Sequence, residues 1–144
     1  MSETTNPTIF PKSPSEVIND IPYFMRMCDK IRLHAKGQLH ADYHPNLGGG
    51  FDLWTCDYLR VSYQDLVEKV NSGLSDEAVL EWAKETGGER TAAETDWWLS
   101  YMRNRGFNDD LSEILDLRKS EGGFEGRDDI VNFFGLIDAD EGRS

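Results

Sequence analysis

The residue types best suited to chemistry are concentrated in one stretch, residues 23–59. It holds all three histidines, both cysteines and the only triple glycine of the chain. A segment near its centre places His40, Asp42 and His44 within five positions. Because imidazole and carboxylate groups are ligands for divalent transition metals, these three residues are candidate metal ligands.

The spacing of this segment is compatible with a metal site but does not require one. No glutamate follows His40, so the HExxH pattern of zinc proteases is absent. Pro45 disfavours helical geometry at His44, and His40 and His44 share a face only if the segment is helical. The alternative is that these histidines face solvent or cap the core.

A second group of polar residues lies on the helix predicted for residues 23–36. Arg26, Asp29, Lys30 and Arg32 fall on the side opposite its apolar positions, and ion pairs at i,i+3 can form among them. If this side faces acids such as Asp52, the residues form a buried polar network. The group is therefore either a structural ion-pair network or a ligand site.

The glycine run Gly48–Gly50 precedes a predicted helix, an arrangement that can bind phosphate through backbone N–H groups. We expect Asp52 to be the N-cap of that helix, where its carboxylate would occupy those N–H groups and repel an anion. No lysine follows as in a P-loop. The run is expected to be a flexible turn.

Composition excludes several functions. The 144 residues carry a net charge of −12, which disfavours nucleic-acid binding. No apolar run is long enough for a membrane span, so we expect no membrane partner. The two cysteines show no CxxC spacing and no secretory segment precedes them, so we expect reduced thiols and a cytoplasmic protein.

The apolar periodicity and the capping residues predict an all-α fold, a compact single domain of six or seven short helices. Residues 1–12 are expected to form a flexible N-terminal arm anchored by Ile9 and Phe10, followed by one helical domain over 13–144. A turn or short helix is predicted at Ser13. The predicted helix boundaries, in chain order, are an end at Gly37 and starts at Asp52, Ser62, Ser75, Thr91, Asn108 and about Asp128.

Two of the four tryptophans, Trp97 and Trp98, are adjacent and cannot both face the same core. Exposure of one would favour a partner surface or a pocket wall. No GxSxG or SxxK motif occurs, so nucleophilic catalysis has little support.

Several short sequence segments resemble those of a bacterial family of small proteins known as domain-of-unknown-function family 5069. They are PKSP, FMRMCDKIR, AKG with Leu39, YH with GFD, and RDDIVNFFGLIDADEGR. The resemblance covers about Pro11 to Arg143 and implies a stand-alone domain without assigning an activity. It also implies a family motif consisting of Arg26, Asp29, Lys30, Gly37, Tyr43, Asp52, Asp138 and Glu141.

The sequence therefore favours a cytoplasmic, non-catalytic binding or protein-interaction module. Its partner is an unidentified protein or small molecule, its oligomeric state is open, and no cofactor is predicted. The ligand-binding residues we expect are Arg26, Asp29, Lys30, Tyr43 and Asp52. One alternative is a small metal-dependent enzyme, hydrolase-like, that uses His40, Asp42 and His44 with a divalent metal. A second alternative is an acidic mimic of nucleic acid with a basic protein partner.

Overall fold

The computed structural model describes residues 9–143, and within them it is mostly helical. Seven α-helices, one 3₁₀ helix and a two-stranded hairpin occur in the described part, which confirms the all-α class and the expected helix number. The elements are β1 Val17–Ile18, β2 Ile21–Pro22, α1 Phe24–Ala35, the 3₁₀ helix Ala41–Asn46, α2 Phe51–Leu59, α3 Tyr63–Asn71, α4 Asp76–Gly87, α5 Ala92–Asn104, α6 Ser112–Glu121 and α7 Phe133–Asp140.

Three helices begin at the capping residues that the sequence predicts. The hydroxyls of Ser62 and Ser75 accept backbone N–H bonds from the third residue of α3 and α4. Thr91 forms a full capping box, in which its hydroxyl and the Glu94 carboxylate exchange bonds with the two backbones. These caps satisfy N–H groups that have no partner within the helix, so local sequence fixes the three starts.

Three other predicted helix starts are wrong. The helix α2 is capped by Gly50, and Asp52 is its second residue. Asn108 has a left-handed backbone, and α6 begins only at Ser112 because the Asp109 carboxylate accepts N–H bonds in the preceding turn. The last helix starts at Phe133, where the Asn132 side chain accepts from the third helical N–H.

The segment after Ser13 forms a turn and then the hairpin β1–β2. The Ser13 hydroxyl accepts the Ser15 N–H, as in a turn. The two hairpin residues Asn19 and Asp20 have φ of +49° and +67°, values typical of a type I′ turn. Strands of two residues each give too short an alternating pattern to be recognised in the sequence.

The backbone divides into two compact units. Of the described residues, the first unit takes in 9–12 and 25–88, and the second takes in 13–24 and 89–143. In the first unit, α2, α3 and α4 pack on one another. In the second, α7 packs against α5 and α6. The division at residue 12 and the single domain over 13–144 stay predictions.

The described part of the predicted N-terminal arm is residues 9–12; residues 1–8 lie outside the described residues. Ile9 and Phe10 are exposed, whereas Pro11 is buried. The expected anchors are therefore not the residues that the protein buries.

Candidate functional site

The centre of the predicted polar cluster is a buried ion pair between α1 and α2. Lys30 Nζ lies 2.9 Å from Asp52 Oδ1, and the two side chains are 6% and 0% exposed. Removing charges from water is costly unless they are paired, so each of these groups depends on the other. The structure thus joins two predicted ligand-binding residues to each other.

The glycine run positions the acid of this pair. Asp52 Oδ2 accepts the Gly48 N–H at 3.0 Å, so the carboxylate closes the loop it follows. Gly48 and Gly50 have φ of +77° and +53°. A Cβ at Gly48 would also lie 3.0 Å from the Tyr63 ring. The glycines therefore permit a fixed turn that delivers Asp52 to Lys30.

Arg26 and Tyr43, two further predicted site residues, also lie together. Arg26 is almost fully buried, its guanidinium donates to the Lys12 carbonyl at 3.1 Å, and it stands 5.8 Å from the centre of the Tyr43 ring. This geometry is a cation–π contact. Arg26 therefore holds the N-terminal segment and the 3₁₀ helix against α1.

Asp29, the remaining predicted site residue, faces cations of its own chain. It accepts the backbone N–H of Lys12 at 3.1 Å and lies 3.3 Å from the Lys12 ammonium. Arg32 approaches it at 3.5 Å and pairs with Asp76 at 2.6 Å. The polar face of α1 thus forms several ion pairs within the protein, as in the structural alternative; a ligand role for these residues stays a prediction.

The cysteines and Tyr63 lie close to this network. Burial raises the pKa of the Cys28 thiol far above its usual range and that of Cys56 to about 12. Burial likewise raises the pKa of the Tyr63 phenol. Both thiols are free of disulfides, and at neutral pH both are protonated. Neither has the thiolate character of a catalytic nucleophile.

The predicted metal ligands are arranged around the 3₁₀ helix. His40 is its N-cap, and its Nδ1 accepts the Asp42 N–H at 3.1 Å and lies 3.7 Å from the Asp42 carboxylate. His44 Nε2 instead lies 3.0 Å from the Leu39 carbonyl oxygen. The centres of the His44 and His34 rings are 4.9 Å apart, and the rings contact each other edge to face. His40 itself lies outside the helix with an extended ψ of 141°, so it and His44 do not share a helical face.

This geometry brings His40 to Asp42 and His44 to His34. Among residues 9–143, no group of three or more His, Cys, Asp or Glu is placed to hold a metal ion. The metal-dependent alternative stays a prediction.

The two adjacent tryptophans divide as expected. Trp98 is buried at 8% exposure, whereas Trp97 is 72% exposed. Tyr101, one helical turn further along α5, is also exposed, and the Arg105 guanidinium lies 4.8 Å from the centre of its ring. Arg105 is in turn held by Asp109 and Asp110 at 3.1 and 2.8 Å. The second unit therefore presents an aromatic face on α5, formed by Trp97 and Tyr101.

The C-terminal segment, residues 138–143, forms a separate polar cluster in the second unit. Asp138 accepts the Ser13 hydroxyl at 3.1 Å and the Arg143 guanidinium at 3.3 Å. Arg143 also pairs with Glu141, whose side chain is buried. The cluster joins the start of the second unit to its end.

Comparison with protein families gives one match. The model described as Domain of unknown function (DUF5069) matches residues 8–143. The chain belongs to this DUF5069 family. No match was found among curated proteins or among solved structures. In this DUF5069 chain, most residues of the motif described above lie on the polar face of α1, at Asp52 or in the C-terminal cluster; Gly37 follows the end of α1, and Tyr43 lies in the 3₁₀ helix against Arg26.

In the part of the chain that the structure describes, no helix has the length and apolar character needed to cross a bilayer.

Sequence reasoning missed Lys12 and Tyr63, which contact the polar network and the glycine turn. Neither stands near its partners in sequence, so no local signal marks them.

Proposed function

We propose that this protein is a cytoplasmic, non-catalytic interaction module that binds a basic segment of a partner protein through the aromatic face of α5. The observation that carries the proposal is the 72% exposure of Trp97 beside the exposed Tyr101. Tryptophan and tyrosine are enriched among the residues that dominate the energetics of protein interfaces, so two exposed aromatic rings one helical turn apart favour a partner surface.

The contact that holds the Tyr101 ring supports the same function. Arg105 is buried and ion-paired, and its guanidinium lies against the Tyr101 ring. A side chain that is already held in place, as Tyr101 is, loses little conformational entropy when a partner binds.

Charge argues for the chemistry of the partner. The chain carries 27 acidic against 15 basic side chains, and Asp96 next to Trp97 is exposed. An acidic surface speeds association with a basic partner. The face of an indole ring also attracts lysine and arginine cations. The partner segment we propose carries lysine or arginine beside an apolar residue.

The polar face of α1 supports a structural role for that region. Lys30 and Asp52 are buried and paired, so a ligand that used either residue would have to break the pair. The two free, buried thiols are consistent with the reducing environment of the cytoplasm.

A displayed library of random 16-residue peptides, selected on the intact protein, tests the proposal. We expect the selected peptides to be enriched in lysine and arginine beside apolar residues. Trp97→Ala should weaken their binding about 30-fold, the effect of losing an interface hot spot of about 2 kcal/mol. The control Leu53→Ala, which removes an exposed apolar side chain from α2, should leave Kd unchanged.

Selected peptides that bind Trp97→Ala as tightly as the parent protein would contradict the proposal. Basic peptides that ignore Trp97 but lose affinity steeply with salt would instead favour the acidic mimic of nucleic acid.

A further inference from the structure

A surface groove in the first unit lies between the second half of α1 and α3. Its first part is a cavity of about 250 Å³. Ile31, Leu47 and Val67 give it apolar walls, and His34 and Tyr63 contribute polar groups. An engineered apolar cavity of about 150 Å³ is large enough to bind benzene, so this space can hold a ring or a short alkyl chain.

The second part of the groove is a cavity of about 280 Å³. It shares Ala35 and Asn71 with the first, so the two cavities are neighbours along the same pair of helices. Arg32 and Lys36 line this second part. The groove thus has an apolar end and an end that carries cationic side chains.

The two cations differ in their partners. Arg32 is neutralised by Asp29 and Asp76. The Lys36 ammonium, by contrast, makes no ion pair with any residue between 9 and 143. Lys36 is therefore the cation of this groove that can pair with an anionic ligand without breaking an ion pair of the protein.

The geometry at the end of α1 reduces an obstacle to anion binding at Lys36. Carbonyl groups at a helix C-terminus normally repel an anion. Here Gly37 has φ of +70°, and the N–H groups of Gly37 and Gln38 donate to the carbonyls of His34 and Leu33. This Schellman motif satisfies the carbonyls of Leu33 and His34 in the last turn of α1.

We propose that this groove binds a small amphipathic carboxylic acid, whose apolar body occupies the cavity beside Ile31 and Val67 and whose carboxylate pairs with Lys36. A ligand pocket of this kind combines apolar walls with a few polar groups that orient the ligand. The site lies in the first unit and does not depend on the aromatic face of α5.

Titration of the ¹⁵N-labelled protein with 4-phenylbutyrate tests the proposal. We expect backbone NMR shifts to change around Ile31, Lys36 and Val67. The neutral amide 4-phenylbutyramide should bind about two- to fivefold more weakly, which is the effect of losing one exposed ion pair. Acetate, which lacks the apolar body, should cause no saturable change in these signals.

Two variants separate the parts of the proposal. Lys36→Gln should weaken 4-phenylbutyrate about two- to fivefold and leave the amide unchanged, whereas Lys84→Gln, at a lysine that lines neither cavity, should affect neither probe. Val67→Trp should abolish binding of both by filling the cavity. Lys36 is exposed, so its replacement leaves folding intact.

The proposal is overturned if the shift changes lie outside the groove or if no probe saturates at millimolar concentration. It is also overturned if 4-phenylbutyrate binds Lys36→Gln as tightly as the parent protein and the amide binds the parent protein as tightly as the acid does. Because these readouts do not involve Trp97, failure here is distinct from failure of the peptide selection.

Discussion

The buried pair of Lys30 and Asp52 gives the most demanding prediction. Asp52→Asn removes the charge but keeps an oxygen that can accept the Gly48 N–H. The Lys30 ammonium then stays buried without its carboxylate, 2.9 Å away in the parent protein. Breaking one partner of a buried ion pair costs about 3–5 kcal/mol. We expect a loss of that size in the free energy of unfolding.

The same loss can be expressed as a melting temperature. For a chain of this length, 1 kcal/mol changes Tm by roughly 2–4 °C. Asp52→Asn should therefore lower Tm by roughly 6–20 °C in differential scanning calorimetry at neutral pH. Urea unfolding gives the free energy directly. The exposed pair Arg118–Glu121 provides a matched control, and Glu121→Gln should cost about 1 kcal/mol or less.

A double-mutant cycle identifies the source of the loss. Lys30→Met alone should also destabilise, since it leaves Asp52 buried without its cation. The double variant Lys30→Met with Asp52→Asn should lose less than the sum of the two single losses, because it buries no unpaired charge. If Asp52→Asn costs no more than Glu121→Gln, or if the two losses add, the pair does not support the fold as we infer.

Three further outcomes are expected. Gly87→Ala should lower the free energy of unfolding in urea by about 3 kcal/mol, because a Cβ there would lie 1.8 Å from the Leu59 carbonyl oxygen. Gly49→Ala, where the nearest neighbour of a Cβ is 3.8 Å away, should lower it far less. Equal losses of stability in the two variants would contradict the steric reason. Both cysteine thiols should resist dithiobis-nitrobenzoate at pH 8 until the protein is denatured, because burial raises each pKa; rapid labelling of the folded protein would contradict this. The Arg127 guanidinium lowers the pKa of Asp129 to about 2. The stabilisation that this ion pair gives the folded state is therefore complete above the unfolded pKa of 3.8 and is lost as pH falls toward 2. NMR titration of Arg127→Gln should show the Asp129 pKa rising toward its ordinary value, and an unchanged pKa would refute the pairing.

Local sequence predicted the features that depend on a few neighbouring residues. Ser62, Ser75 and Thr91 cap their helices because each hydroxyl reaches an N–H only three residues away. The division of Trp97 from Trp98 follows from helical geometry alone. Such features need no knowledge of the tertiary fold.

The error at Asp52 arose because a distant residue decides local geometry, whereas the errors at Asn108 and Asp128 arose because nearby side chains, Asp109 and Asn132, fix the helix starts. Asp52 has the residue type of an N-cap, yet its carboxylate pairs with Lys30 and the cap falls to Gly50. The sequence grouped Arg26, Asp29 and Lys30 correctly on one helix. Their partners could not be read from it, because Lys12 and Asp52 approach α1 from separate parts of the chain.

The second unit is discontinuous in sequence, and this determines when it can form. The Tyr23 ring stacks on the Phe134 ring, with 6.3 Å between the ring centres, and the Ser13 hydroxyl donates a hydrogen bond to the Asp138 carboxylate. During synthesis, all of the first unit has emerged from the ribosome while the hairpin β1–β2 still lacks its C-terminal partners. The contacts of Ser13 and Tyr23 with α7 can form only after α7 has been synthesised, and they close a loop of more than a hundred residues, which carries a large entropic cost. A messenger truncated before the codon for Asn132 would leave Tyr23 and Ser13, on either side of the hairpin, without their partners on α7.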